Sequence, residues 1–380
     1  MSNHLLDERI VREFITHGYT LVQADQPPDY HRQVSEKLDA ILAAEGNPGN
    51  NILPRVPELG AIFDSPSVRG ALQSLLGPGY SMHPHRYCHL NSPGSQGQNW
   101  HKDDYIFDHN VRHHRFRWIM AFYYPQDVDP DMGPTGIASD HHYCNHISNE
   151  DPALSSEEEI KLCGPAGTVA LVNFDVWHRA TANISNRKRH MLKFQFLRMQ
   201  EPCEPSWQAS VVDGQPITDD PHPHLSAHVW HWLSGNPDAT PDIQALDNEK
   251  FAIASRRNNE HIRIDNAYTS NDQGAQAITD LIDALRIEAQ SKADSNQAPT
   301  PANVQGGNPA DLETAHALVA LGRAAVPALI DELSNADWAP RTAAAAILGN
   351  IGHEARDSAP ALNCALSDAS HWVRRNAAEA

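Results

Sequence analysis

Apolar residues at helical spacing open the chain: Leu6, Ile10, Val11 and Phe14 share one face, and Gly18 supplies a residue able to end the helix in the left-handed region. The same period predicts a second helix over residues 30–45 that buries Val34, Leu38, Ile41 and Leu42. A third starts at Ser65-Pro66, a capping residue followed by a first-turn proline, and stops at Gly77. From residue 80 to about 199 the texture changes to short apolar or alternating runs broken by Gly, Pro, Asn and Asp. These predict strands at 80–90, 100–106, 117–124, 168–177 and 190–198. Helical crossovers do not recur between them, so an antiparallel sandwich or barrel is expected rather than a parallel sheet. Residues 200–274 read as loop and short helix, with one apolar island at 229–233.

Helical periodicity returns at 275–289 through Ile278, Leu281, Ile282 and Leu285, and 291–309 has the Ser/Asn/Gln/Pro/Gly composition of a linker. Beyond it the text nearly repeats. Trp338-Ala-Pro-Arg-Thr-Ala-Ala returns 34 residues later at Trp372, and Val326-Pro-Ala-Leu returns 33 residues later at Ala359. Such a period in Ala-rich, Leu/Ile-patterned text means stacked helix pairs, each burying its apolar face on the next. The helix at 341–351 should bury Ala344, Ile347, Leu348 and Ile351. Residues 311–380 thus resemble short HEAT-like repeats of the α-solenoid class. The last residues read as the opening of a further repeat, so more chain or a partner is expected to cover that face. The expected division is a catalytic domain over 1–274, helix and linker over 275–310, and the repeats over 311–380.

A length of 380 residues exceeds what one core usually supports, which agrees with this division. The net charge of −19 repels phosphate backbones and anionic headgroups, and excludes nucleic acid as an expected partner. The N-terminus lacks the apolar core of a signal peptide and no apolar run is long enough to span a membrane, so a soluble, cytoplasmic protein is expected. Cys88, Cys144, Cys163, Cys203 and Cys364 are scattered, odd in number and without paired spacing, which predicts reduced thiols.

The 23 histidines are the unusual count. His101 and Asp103 stand two apart on a predicted strand and so project from one face. The apolar run 167–177 delivers His178 at its end. A His-x-Asp pair plus a distant histidine is the usual two-histidine, one-carboxylate set for iron(II), and it leaves positions open for substrate and O2. Arg189 follows His178 by eleven residues, within reach across a hairpin to bind a carboxylate two-pronged near the metal. Arg187, of the same strand parity, is its rival. On that strand Arg189, Met191, Lys193 and Gln195 share a face opposite His190, Leu192, Phe194 and Phe196. An inward Arg189 therefore requires helices over the apolar face.

Together these segments resemble the phytanoyl-CoA dioxygenase family of iron(II)/2-oxoglutarate oxygenases, from about residue 6 to 199. The likeness includes the N-terminal helices, His101-Lys-Asp103, His178, Arg189, and the stretch from Met132-Gly-Pro-Thr-Gly to His141 that is similar to a family turn. The resemblance implies a double-stranded β-helix (jelly roll), iron held by His101, Asp103 and His178, and the distal carboxylate of 2-oxoglutarate held by Arg189. Ala180 stands where relatives commonly carry a small hydroxyl residue, so Thr181 is expected to take that part. Halogenating relatives carry a small residue in place of the carboxylate ligand, so Asp103 implies hydroxylation, with release of succinate and CO2.

The expected function is an iron(II)- and 2-oxoglutarate-dependent dioxygenase acting on a small organic or carrier-linked substrate, with the repeats docking a protein partner or a second copy. The alternative is a non-catalytic scaffold working through its repeats. Tyr105, Trp118, Tyr123 and Trp177 flank the site in sequence and are expected mainly as aromatic core. The run from Arg112 to Arg117 reads as a solvated loop that would otherwise line a substrate entrance. His222, His224, His228 and His231 match no common metal spacing and are expected as an exposed patch.

Overall fold

A computed structural model describes residues 4–103, 114–144, 159–209, 217, 219–236, 264–265, 268, 274–294, 309–310 and 312–380. Helix α1 (Glu8–His17) begins where Asp7 accepts the amide of Ile10 at 2.9 Å, and ends at Gly18, whose φ of 79° lets its N–H reach the Phe14 carbonyl. Val11, Phe14 and Ile15 are its buried face. Helices α2 (Pro28–Glu45), α3 (Ile52–Arg55), α4 (Glu58–Phe63) and α5 (Pro66–Leu76) follow. Val34 and Leu38 are buried as expected, whereas Ile41 and Leu42 are half-buried.

Strands β1 (Tyr19–Gln23), β2 (Ser81–Met82), β3 (Tyr87–Asn91), β4 (Trp118–Tyr123), β7 (Thr168–Asn173) and β9 (Arg189–Leu197) form one antiparallel sheet. Its order is β1-β7-β4-β9-β2, with β3 also on β9. A second sheet has the order β6-β5-β8, from β5 (Thr135–Ala138), β6 (Glu159–Leu162) and β8 (His178–Ala180). This is a mainly β domain with flanking helices, consistent with a jelly roll. The run 80–90 is two strands rather than one, because Pro84 has no N–H for the ladder. The run 168–177 stops at Asn173, whose side chain accepts the Asp175 amide and turns the chain, so that His178 opens a strand in the other sheet. In place of a strand over 100–106, the described residues 100–103 hold a single bridge, His101 to His178; 104–106 lie outside the described residues.

Strand β9 decides which way the sheet faces. Phe194 and Phe196 meet Phe63 of α4 with ring centroids 4.3 and 5.5 Å apart, so the helices cover that face. Alternation then turns Arg189, Met191, Lys193 and Gln195 inward. The register sets Asn91, His89 and Tyr87 of β3 beside Arg189, Met191 and Lys193, and Phe122 of β4 beside Lys193.

The chain divides into two compact units, neither continuous in sequence. The first comprises Met1–Asp103, Arg115–Asp220 and Val229–Ala239, the second Asp104–His114, Pro221–His228 and Thr240–Ala380. Helix α6 (Pro223–Leu233) carries the apolar island expected at 229–233. His222 and His228, expected on an exposed patch, are buried, and His224 pairs with Asp265 at 2.6 Å. The patch reading fails because His228 packs on Tyr268 instead of facing water.

The second unit holds α7 (Gly274–Ala293), α8 (Glu313–Ala320), α9 (Val326–Glu332), α10 (Trp338–Ile351), α11 (Ala359–Ala365) and α12 (His371–Glu379). Ala344, Ile347, Leu348 and Ile351 are buried in its core with Leu285, Leu318, Leu329 and Val373. The repeated text falls on helix starts: Val326 opens α9 and Ala359 opens α11. Two arginines 33 residues apart make the same contacts. Arg341 Nη1 donates to the carbonyls of Asn335 and Ala336, and Arg374 Nη1 to those of Asp368 and Ala369. Arg341 also forks onto both carboxylate oxygens of Asp368, at 2.8 and 3.0 Å. Among the described residues no helix is long and apolar enough to cross a membrane.

Candidate metal centre

His178 enters β8 with its backbone paired to His101 in both directions, at 3.1 and 2.9 Å. This bridge sets the two imidazole centroids 4.4 Å apart. Each ring is aligned by its own chain: Nδ1 of His101 lies 3.0 Å from the Asn99 carbonyl, and Nδ1 of His178 lies 3.1 Å from that of Val176. A carbonyl only accepts, so each Nδ1 carries the proton and each Nε2 presents a lone pair. Asp103 is buried, with Oδ2 3.9 Å from His178 Nε2. One potential ligand atom from each of the three lies within 4.8 Å of the others, the one such group of His, Cys, Asp or Glu among the described residues.

Electrostatics favours the same protonation states. Burial pushes the His178 imidazolium down to about 4, against the pull of Asp103. Burial alone would raise the Asp103 carboxyl, but Lys193 and His178 outweigh it and hold it below the usual carboxylate range. A divalent metal needs neutral imidazole and ionised carboxylate, and the site offers both before any ion arrives.

Arg189 is 1% exposed. Its Nε and Nη2 donate to the Gly133 carbonyl at 3.0 and 2.6 Å, while Nη1 is buried with no hydrogen-bond partner. An unpaired guanidinium N–H in the interior is costly, so this nitrogen calls for an acceptor, and a ligand carboxylate fits it. The rival Arg187 is half-exposed and pairs with Asp129. Thr181 lies nearby, but its hydroxyl donates to the Pro134 carbonyl at 2.8 Å, and its own carbonyl accepts Asn91 Nδ2 at 3.1 Å.

Gly133 is where Arg189, Asn91 and the 132–141 turn meet. Its φ is +67°, and a Cβ there would stand 2.2 Å from Asn91 Nδ2 and 2.8 Å from the Thr181 carbonyl oxygen. Gly133→Ala should therefore destabilise the protein by roughly 2–4 kcal/mol and loosen the Arg189 fork. Urea unfolding reads the first effect, and a change under about 0.5 kcal/mol, the range of a neutral surface substitution, would show the turn to be pliable.

The same turn carries a buried histidine. His142 Nε2 donates to the Ile15 carbonyl at 3.1 Å, and burial pushes its pKa down to about 3, with Asp140 opposing. The unfolded imidazole takes up its proton near pH 6.5 while the folded one refuses it. Stability from this group is therefore full above about pH 6.5 and is lost as pH falls toward 3, by about 2 kcal/mol at pH 5. Unfolding at pH 7.5 and pH 5 should show a decline, and His142→Gln should flatten it by roughly one proton. An unchanged slope would mean that His142 is solvated.

Two inward residues were not singled out from sequence. Lys193 Nζ lies 2.7 Å from Asp103 Oδ2, with both side chains nearly buried. His89 has a buried, unpartnered Nε2, and burial, then Lys193 and Arg189, push its pKa down to about 3. The alternation of β3 and β9 was the available signal. Phe122 stands 5.9 Å from the His178 ring. Tyr123 belongs to the outer face, where its hydroxyl meets His31 Nδ1 at 2.8 Å, and Trp118 stacks edge-on with His83. The Trp177 indole donates to the Cys144 carbonyl. Tyr105, Arg112 and His113 lie outside the described residues.

Residues 18–191 match the sequence model of the phytanoyl-CoA dioxygenase family. No curated protein matches the chain. Among solved structures, the non-haem α-ketoglutarate-dependent carbocyclase SnoK from nogalamycin biosynthesis is 14% identical over 56% of this chain and 91% of its own, with a TM-score of 0.42. HygX from Streptomyces hygroscopicus, with nickel and 2-oxoglutarate bound, is 12% identical over 54% of this chain and 90% of its own, at 0.43. The nickel complex of the non-haem monooxygenase ThoJ is 15% identical over 67% and 98%, at 0.40.

Proposed function

Residues 18–191 form a domain of the phytanoyl-CoA dioxygenase family, that of an iron- and 2-oxoglutarate-dependent non-haem enzyme, and from this premise we propose that the chain hydroxylates a small organic or carrier-linked molecule. In this reading His101, Asp103 and His178 hold iron(II), and Arg189 holds the distal carboxylate of 2-oxoglutarate. Thr181, whose donor is already engaged by Pro134, contributes by fixing the Gly133 turn behind Arg189. The two sheets are read as a double-stranded β-helix. The carrying observation is the convergence of two metal-ready imidazoles and an ionised carboxylate with a buried arginine that has one nitrogen still seeking an acceptor.

When bound, iron(II) with 2-oxoglutarate supplies the dioxygen-dependent oxidation that yields succinate and carbon dioxide. The chain's own part is geometric. The backbone bridge and the two Nδ1 contacts fix the imidazoles, and Phe122 shields one of them. The helices over the outer face of β9 keep Arg189 turned inward. Anaerobic titration of the apoprotein with iron(II) and 2-oxoglutarate tests the reading: the visible charge-transfer band of the chelate should appear, and its absence at saturation would refute it.

We read 311–380 as HEAT-like repeats that dock a partner or a second copy, supported by the 33-residue recurrence of text, helix starts and arginine contacts. The alternative of a purely scaffolding protein receives no support from the family match.

A further inference from the structure

The interior holds a second cation that the proposed ligand set does not use. Lys193 lies four residues after Arg189 on the same face of β9, 7% exposed, and its ammonium holds Asp103 Oδ2 at 2.7 Å. That oxygen is also the one 3.9 Å from His178 Nε2. A divalent ion placed between His101, Asp103 and His178 and the Lys193 ammonium therefore compete for the same atom. The ion, with twice the charge and two imidazoles besides, wins.

The charges then sort themselves. Asp103 and the metal-proximal carboxylate of 2-oxoglutarate balance the ion, and the distal carboxylate balances Arg189. Lys193 has yielded its carboxylate in an interior where burying a cation away from anions is costly. Among the described neighbours, His89 cannot help, since burial and the two cations hold it neutral. Phe122 and Met191, beside it in the register, are apolar. We propose that Lys193 is a specificity-determining residue, which in the loaded site anchors an anionic group, a carboxylate or phosphate, carried by the primary substrate. The substrate would then be an organic acid or its phosphorylated equivalent, although the protein as a whole is acidic.

This inference rests on the iron and 2-oxoglutarate reading, and its test separates the two. The full chain is loaded with nickel(II), which is inert to dioxygen, and saturating 2-oxoglutarate, then titrated with hexanoate, hexyl phosphate or hexanamide while paramagnetic broadening of the ligand protons is followed. Calorimetry measures nickel and 2-oxoglutarate binding separately. One or both anions, but not the amide, should broaden in the wild type, and which of them does identifies the group. Lys193→Met should weaken that binding about tenfold or more and leave the affinity for 2-oxoglutarate within about threefold. Lys193→Arg, which keeps the charge, should retain the preference for the anion and guards against a folding artefact.

Equal broadening by the amide, no broadening by any probe, or anion binding indifferent to Lys193→Met would overturn the proposal while leaving the enzyme reading intact. A Lys193→Met protein that instead loses 2-oxoglutarate affinity would assign the ammonium to the cosubstrate and also overturn it. A wild type that takes up neither nickel nor 2-oxoglutarate refutes both readings.

Discussion

Asp103→Ala is expected to weaken iron(II) binding by at least about a hundredfold and to abolish succinate formation. The substitution leaves two neutral imidazoles as ligands and puts an uncompensated Lys193 ammonium beside them, so the site changes from a cation trap to a cation repeller. The apoprotein should also lose stability, by about 3 kcal/mol, because one member of a buried ion pair has been removed. The double variant Asp103→Ala/Lys193→Met should recover part of that stability without recovering the metal. Equilibrium dialysis against iron(II) and urea unfolding separate the two effects. An Asp103→Ala protein that binds iron within threefold of the wild type would remove the carboxylate from the ligand set.

Arg189→Ala addresses the other end of the cosubstrate. Two charge-assisted hydrogen bonds to a carboxylate are worth about 3 kcal/mol in a dry site, so the 2-oxoglutarate needed to develop the charge-transfer band should rise about a hundredfold. Iron(II) affinity without 2-oxoglutarate should stay as it was, because Arg189 touches none of the three ligands among its described contacts. Arg189→Lys should restore little, since a point charge cannot reproduce a fork that grips the Gly133 carbonyl while offering Nη1 elsewhere. A cosubstrate requirement unchanged by Arg189→Ala would mean that Nη1 serves the fold alone.

Much of this site was legible because its chemistry lies in short, local patterns. His101 and Asp103 sit two residues apart, and an apolar strand delivers the third residue. The orientation of β9 followed from one alternation, and Phe63 covers the face that the alternation left for helices. What sequence could not supply was partnership between distant segments. The side chain of Lys193 reaches across 90 positions to Asp103, and nothing in the local text of either residue announces the other. The same limit explains β1, β5 and β6. They are four or five residues long, too short for a period to show, and they exist because β7, β8 and each other offer them a ladder. Pro84 and Asn173 divided runs that hydropathy joined, since hydropathy does not register a missing N–H or a side chain that captures a backbone amide.

The fork from Arg341 to Asp368 gives the helical unit a particular mechanical character. Arg341 grips the turn behind its own helix and, through Asp368, the turn of the following pair, where Arg374 repeats the grip. Each turn is thus clamped by the arginine just after it, and the two clamps share one carboxylate-bearing loop. Such a chain of couplings opens sequentially, as a zipper does, and the last pair cannot fray without loosening the tooth before it.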